Sequence, residues 1–173
     1  ASLVGSEMCI RDSFNYDFPP EFWLVEVSGI PYGLMGEMLE GGGNPWRGML
    51  YGMTGRSPRV DNGPLWKLWD SFGMQNSEMI GYWVKDNPVK TGSEKTLATV
   101  YSHMGDKALI SLATWEDTDA KVKLSIDWAK LGLDPSKVTL HAPAIENFQQ
   151  ETTWKPGDEI VVPKGKGLLI IAK

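Results

Sequence analysis

The chain has 173 residues, a length that suits one domain or one and a half. Its 17 basic and 22 acidic residues give a net charge of −5 without a cluster of Lys and Arg, which argues against nucleic acid as the main partner. With 42% hydrophobic residues, 8 Trp and no apolar run near the roughly 18 residues that cross a bilayer, the composition predicts a soluble, folded protein with no membrane partner.

The first residues do not read as native protein. Written as codons, the stretch LVGSEMCIRDS resembles one translated frame of the transposase adapter used to fragment DNA for sequencing. We interpret residues 1–13 as translated adapter, rather than as a native disordered N-terminus, and exclude them from the fold. The exclusion removes Cys9, the only cysteine, and with it any disulfide, thiol nucleophile or cysteine metal site. One basic and two acidic residues are also lost, so the net charge changes from −5 to −4. The native part is then expected to be a metagenomic fragment that begins near Phe14 and lacks an unknown length upstream.

The first native segment predicts a broken helix over residues 19–40. Two prolines open it, and apolar residues such as Trp23 and Val27 follow at helical spacing. Pro31 interrupts the pattern, and a run of three glycines ends it. Propensity alone also allows a strand over PPEFWLVEV, which is aromatic and β-branched.

A short strand and a second helix follow. The apolar run RGMLYGMT predicts a strand over roughly residues 47–54. GPLWKLWDSFG predicts a helix that begins after Gly63 and places Leu65, Leu68 and Trp69 on one face. Gly73 lies just past its end, where a left-handed residue commonly stops a helix.

From residue 77 the sequence reads as short strands divided by turns. TLATVYSHM and KALISLATW are apolar runs of strand length separated by Gly-Asp, which predicts a hairpin. KVKLSIDW indicates one half-buried strand with Val122, Leu124, Ile126 and Trp128 on one face, and DWAKLGLDPSK adds one helical turn. KVTLHAP, EIVVP and GLLIIAK follow, divided by the turn-forming KPGD and KGKG. About seven or eight strands at this spacing predict an antiparallel β-sandwich.

The order of these elements predicts the fold class. A strand between two helices indicates α/β layering with a parallel sheet. Residues 14–76 fit helix seven, strand eight and helix eight of a (β/α)8 barrel. The predicted class is therefore α/β plus all-β, with the last segments of a barrel over 14–76 followed by an antiparallel β-sandwich domain over 77–173.

Long phrases of the chain resemble a known family. FPPEFWLVEVSGIPYGLMGEMLEGGGNPWRGMLYGMTGR, PLWKLWDSFGMQNSEMIGYW and LATVYSHMGDKALISLATW together resemble the C-terminal end of bacterial glycoside hydrolases similar to family 123. The resemblance implies a secreted or periplasmic enzyme that acts on glycans containing N-acetylhexosamine, with a carbohydrate substrate as its partner. It also implies substrate-assisted hydrolysis, in which the substrate acetamido group attacks the anomeric carbon, and catalytic acids upstream of this chain. No acidic pair here stands in a matching motif, so we assign no catalytic residue and no cofactor, and we expect this chain alone to be inactive.

Four residues are candidates for substrate binding, because barrel enzymes place their chemistry at the carboxyl ends of the strands. Tyr16 and Asp17 follow the expected strand seven, and Thr54 and Arg56 follow the predicted strand eight. Tyr16 is either a stacking platform for a sugar ring or a packing residue. Asp17 either bonds a sugar hydroxyl or caps a helix. Arg56 either binds a carboxylate or sulfate on an acidic polysaccharide or lies exposed in a loop.

Other aromatic and imidazole side chains are weaker candidates. An exposed row of tryptophans suits sugars, but the strand pattern favours core burial for Trp83, Trp115, Trp128 and Trp154. The two histidines, His103 and His141, have no carboxylate or Cys at ligand spacing, so no metal site is predicted.

The alternative function is a non-catalytic carbohydrate-binding or structural β-sandwich module. In that case residues 14–76 would close on themselves, whereas a barrel fragment would expose apolar surface.

Overall fold

The computed structural model of the protein describes residues 19–21, 24, 44–53 and 61–173. Pro20, Glu21 and Leu24 are helical, as predicted, and the rest of the predicted helix over 19–40 lies outside the described residues. Three further helices are α1 (Pro45–Met49), α2 (Gly63–Phe72) and α3 (Trp128–Leu131), with a 3-10 turn at Met74–Asn76. No helix in the described part of the chain is long and apolar enough to span a bilayer.

Ten strands make up most of the described chain. They are β1 (Glu78–Ile80), β2 (Val89–Lys90), β3 (Thr96–His103), β4 (Lys107–Thr114), β5 (Ala120–Lys123), β6 (Ser125–Ile126), β7 (Leu140–Ala142), β8 (Thr152–Trp154), β9 (Glu159–Val162) and β10 (Gly167–Ala172). Six form one sheet in the order β1-β3-β4-β10-β7-β8, while β2 pairs with β6 and β5 with β9. Every named pair is antiparallel, which confirms the predicted strand direction.

The longest pairing in the large sheet is the hairpin of β3 and β4. Its register runs from Thr96 opposite Thr114 to His103 opposite Lys107, so both strands pair along their full length. Gly105 has a φ of 78°, and the Asp106 amide bonds the His103 carbonyl to close the turn. The predicted Gly-Asp hairpin is therefore confirmed.

Both faces of the large sheet are buried. One face carries apolar residues such as Val100, Ile110 and Ile170, which share a core with Val122 and Ile160 of the β5–β9 pair. The other face contacts α1 and α2 through Tyr101, Leu109 and Leu169. Burial on both faces agrees with the composition of β4, in which seven of eight residues are buried and five are apolar.

Helix α2 forms as predicted and packs on this sheet. Pro64 stands in its first turn, where the missing amide hydrogen costs nothing. Leu65, Leu68 and Phe72 are its buried face. Gly73 ends it with a φ of 79°, a left-handed conformation that glycine adopts without strain. The domain boundary predicted between residues 76 and 77 stays a prediction. Across this boundary, α2 packs in one apolar cluster with the strands that follow it.

Two sequence predictions are wrong. The predicted strand over residues 47–54 contains most of helix α1, because Asn44 caps that helix and Pro45 suits its first position. The stretch KVKLSIDW is not one strand: Val122 lies in β5, Ile126 in β6 of another sheet, and Trp128 begins α3. The alternation correctly predicted burial, since Val122 and Leu124 are buried. It did not predict that the backbone changes its pairing strand, from β9 for Val122 to β2 for Ile126.

Candidate functional site

The four predicted substrate-binding residues, Tyr16, Asp17, Thr54 and Arg56, lie outside the described residues and stay predictions. The structure does describe their neighbours in the chain. Pro20 follows Asp17 by three positions, and residues 44–53, here called the junction segment, end immediately before Thr54. The contacts of Pro20 and the junction segment therefore bear on how the predicted site is held.

The large sheet binds the carbonyl groups at the end of α1. The last carbonyls of a helix have no partner within the helix. The Tyr101 hydroxyl donates to the Met49 carbonyl at 2.6 Å, and the Thr99 hydroxyl donates to the Leu50 carbonyl at 2.8 Å. Met49 and Leu50 are both 0% exposed, so these carbonyls have no access to water. Side chains of β3 therefore satisfy buried groups that would otherwise destabilise the junction segment.

Thr99 connects three parts of the chain. While its hydroxyl donates to Leu50, the same oxygen accepts a hydrogen bond from the Tyr82 amide at 3.2 Å. One hydroxyl group thus ties the end of α1 to β3 and to the segment that follows β1. Because Thr99 is held within the sheet, its hydroxyl fixes the positions of the Leu50 carbonyl and the Tyr82 amide.

The beginning of the junction segment is also anchored. Asn44 accepts a hydrogen bond from the Arg47 amide at 3.0 Å and donates one to the Gly165 carbonyl at 2.7 Å. The Arg47 side chain is buried, with its guanidinium 4.5 Å from the ring centre of Trp115 and a hydrogen bond of 3.3 Å to the Thr114 carbonyl. A planar guanidinium can stack on an indole ring while it donates from its edge, so Arg suits this site better than Lys.

Three oxygens, of Pro20, Tyr51 and Tyr82, lie in mutual contact. The hydroxyls of Tyr51 and Tyr82 lie 3.1 Å apart, and each lies close to the Pro20 carbonyl, at 3.2 and 3.1 Å respectively. The two tyrosine hydroxyls have one proton each, whereas the three oxygens form three contacts. At any moment two of these contacts are therefore hydrogen bonds. We call Tyr51, Tyr82 and Pro20 the tyrosine brace. It links the segment after Asp17 to the segment before Thr54 through a residue of the strand-rich part of the chain.

The brace stays protonated across the physiological pH range. Burial raises the pKa of Tyr51 far above its ordinary value of 10.0, and the hydroxyl contact with Tyr82 raises it further. Burial also raises the pKa of Tyr82, although the bond from Tyr51 opposes this effect. Both residues therefore remain hydrogen-bond donors, and neither is suited to act as a general base near neutral pH.

An exposed indole ring lies beside the brace. Trp83 stacks on Tyr51 with ring centres 5.9 Å apart and an angle of 11°, and it is 42% exposed. The indole also covers Gly81, where a Cβ atom would lie 2.4 Å from the ring, so only glycine fits this arrangement. Met79 and Val84 are exposed nearby in the chain. The expectation of core burial is therefore wrong for Trp83.

The other three tryptophans have separate environments. Trp115 lies under Arg47, while Trp128 and Trp154 are half-buried against the main core and not fully buried in it. The four residues do not form one exposed row. The two histidines are also separate: His103 packs on Phe72 at 5.0 Å, and His141 pairs with Glu151 at 3.0 Å. Among the residues that the structure describes, no three His, Cys, Asp or Glu side chains form a group able to hold a metal ion.

Comparison with protein-family models gives two matches. Residues 61–173 match the model of the glycoside hydrolase 123 C-terminal domain, and residues 6–58 match the model of the glycoside hydrolase 123 TIM-barrel domain. The second range starts within residues 1–13, whose origin as translated adapter stays a prediction. Neither a search of curated proteins nor a search of solved structures gave a match. The junction segment belongs to the barrel range, and the sheet that holds it belongs to the C-terminal range. Because the C-terminal model alone covers more than half of the chain, the chain belongs to the glycoside hydrolase 123 family.

Proposed function

We propose that this chain is the C-terminal part of a glycoside hydrolase that cleaves glycans containing N-acetylhexosamine. In this proposal residues 14–76 are the last segments of a (β/α)8 barrel, the strands that follow are a β-sandwich, and the parent protein is secreted or periplasmic. The catalytic acids stand on earlier barrel strands, so the chain by itself is inactive. A barrel of this type has about 250 residues, far more than the barrel range matched here.

The role of the C-terminal domain follows from the junction segment. The tyrosine brace and Thr99 hold the two stretches of chain that flank the predicted binding residues Tyr16, Asp17, Thr54 and Arg56. A sugar-binding loop must be held within a fraction of an ångström to be effective, and rigid support supplies that accuracy. The brace is the observation that carries this proposal: Tyr82 of the C-terminal domain contacts both barrel stretches.

The substrate-binding roles are proposed on the same basis. Asp17 bonds a sugar hydroxyl or the acetamido group, Arg56 binds an anionic substituent, Tyr16 stacks on a sugar ring, and Thr54 bonds a hydroxyl. In substrate-assisted hydrolysis the acetamido oxygen attacks the anomeric carbon, and an enzyme acid must still protonate the leaving oxygen. We place that acid upstream of this chain.

Hydrolysis assays on two proteins test the proposal. One is the 173-residue chain, and the other is a longer reading frame that continues upstream through a complete barrel. With aryl N-acetylhexosaminides and amino-sugar glycans as substrates, we expect no turnover above background by the short chain and measurable cleavage by the long one. Absence of cleavage by the folded long protein on every amino-sugar substrate overturns the proposal. Activity of the short chain that disappears in Asp17→Asn also overturns it, because the catalytic acid would then be present here.

A further inference from the structure

A groove of about 580 Å³ opens beside β8, and no residue of the tyrosine brace lines it. Phe148, Trp154 and Leu168 supply its apolar surface, and all three are half-buried. Asn147, Gln150 and Thr152 add exposed polar side chains around it. We call this surface the amide groove. Its volume falls in the range of small-molecule sites, about 300–1,000 Å³.

The loop that forms one wall of the amide groove is held rigidly. The Gln149 side-chain nitrogen donates to the carbonyls of Pro143 and Leu169 at 2.8 and 2.9 Å. Its side-chain oxygen accepts from the Leu169 amide at 2.7 Å. Ile145 and Gln149 also form an isolated backbone bridge. Both the nitrogen and the oxygen of the Gln149 side chain therefore hold the loop in place. The backbone at the neighbouring residues Asn147, Phe148 and Gln150 is thus preorganised for binding.

The polar side chains of the groove remain available to a ligand. Within residues 61–173, no hydrogen bond of the structure involves the side chains of Asn147, Gln150 or Thr152. Asn147 has a φ of 59° and is the one non-glycine residue of the described chain with a positive φ. Asn tolerates this conformation better than most residues. Each amide offers both donors and an acceptor, and the hydroxyl offers one donor and an acceptor.

The charge of the lining limits the class of ligand. No Asp or Glu lines the groove, which argues against a cation, and Lys166 is its one charged residue. Lys166 lies over the Trp46 ring at 5.4 Å, and a single lysine does not make a site for a polyanion. Neutral amides, a hydroxyl and half-buried aromatic rings suit a neutral polyhydroxy molecule, whose C–H faces pack on rings while its hydroxyls bond amides.

We propose that the amide groove, whose lining lies entirely in the C-terminal range, binds an uncharged saccharide, specifically N-acetylhexosamine units of a glycan chain. The assignment to amino sugars rests on the proposed function. The groove adjoins the barrel range, since Phe148 packs on Trp46 of α1 with ring centres 5.1 Å apart. A glycan held there stays close to the barrel and raises the local concentration of the substrate.

Calorimetric titration of the 173-residue chain with triacetylchitotriose, N-acetylgalactosamine and cellotetraose tests this site. The test variant is Asn147→Gly combined with Gln150→Ala. Glycine accepts the φ of Asn147 without strain, and Gln150 is exposed, so this variant is expected to fold. The matched control is Thr153→Val, on the same strand as Thr152 but with its side chain on the opposite face and outside the groove.

We expect one of the two acetamido sugars to bind the native chain and to bind the double variant about tenfold more weakly, the effect of losing two neutral hydrogen bonds. Thr153→Val is expected to bind like the native chain. The site is overturned if no sugar binds, if only cellotetraose binds, or if the double variant binds as well as the control. Binding here and hydrolysis by the longer protein are measured separately, so failure of one does not decide the other.

Discussion

Replacing Thr99 by Val removes one hydroxyl that serves a buried carbonyl and a part-buried amide. The side chain is 0% exposed, and Val matches its shape and its preference for strands. The substitution leaves the Leu50 carbonyl and the Tyr82 amide without their partner, at positions where the hydroxyl lies 2.8 and 3.2 Å away. Each unsatisfied buried group costs about 1–3 kcal/mol. Two such groups would cost about 2–6 kcal/mol, and the lower part of this range applies because the Tyr82 amide is only part-buried. We therefore expect Thr99→Val to lower the free energy of unfolding by about 2–4 kcal/mol, a large part of the 5–15 kcal/mol that is typical of proteins.

Urea unfolding of the 173-residue chain measures this difference, with the midpoint read at constant slope. Thermal unfolding should show a midpoint lowered by about 4–16 °C, since 1 kcal/mol corresponds to about 2–4 °C at this length. Thr99→Ser is the matched control, because it keeps the hydroxyl and loses only a methyl group, at a cost of about 0.5–1.5 kcal/mol. If Thr99→Val is as stable as Thr99→Ser, the hydroxyl does not hold the junction segment, and the argument that Thr99 anchors the end of α1 fails.

Two further predictions concern pH and backbone conformation. The pKa values of Tyr51 and Tyr82 are raised in the folded chain above the ordinary value of 10.0, so the unfolded chain releases these protons first as the pH rises. The stabilisation is therefore fully present below about pH 10 and is lost progressively as the pH rises above it. Urea midpoints measured from pH 8 to 11 should be flat at first and then fall, and the fall should be shallower in Tyr51→Phe. An equal fall in that variant would contradict the assignment. Gly132→Ala is expected to destabilise the folded chain by about 1 kcal/mol or more beyond the effect of Gly157→Ala. Both glycines have a positive φ, but only at Gly132 would a Cβ atom lie 3.0 Å from the backbone of Gly105. Equal urea midpoints for the two variants would refute the contact.

Local signals in the sequence were enough for several elements. Pro64 and Gly73 mark the ends of α2, and the apolar runs on either side of Gly105 and Asp106 mark the β3–β4 hairpin. These features depend on neighbouring residues, so a single sequence carries them. Helix α1 was missed because it has only five residues, too few to show the helical periodicity that would have revealed it.

The candidate sites depend on contacts between distant residues, which a single sequence does not show. Tyr82 meets Pro20 across 62 positions, and Thr99 meets Leu50 across 49. Nothing near Tyr82 distinguishes it from a packing residue. The amide groove had a weak signal, since Asn147-Phe148-Gln149-Gln150 is rich in amides and precedes Trp154, but the fixed role of Gln149 and the free role of Gln150 could be separated only in the structure.

The separation between the junction segment and its hydrogen-bond donors sets an order of events during synthesis. Met49 receives its bond from a tyrosine 52 residues later in the chain. At about 5–20 residues per second, a ribosome needs about 3–10 s to make that stretch. Over that interval the apolar end of α1 has no sheet to cover it, and it stays uncovered until the β3–β4 hairpin has emerged. A ribosome that stalls between these points therefore leaves a chain with an uncovered apolar segment, a species that chaperones bind and that aggregates.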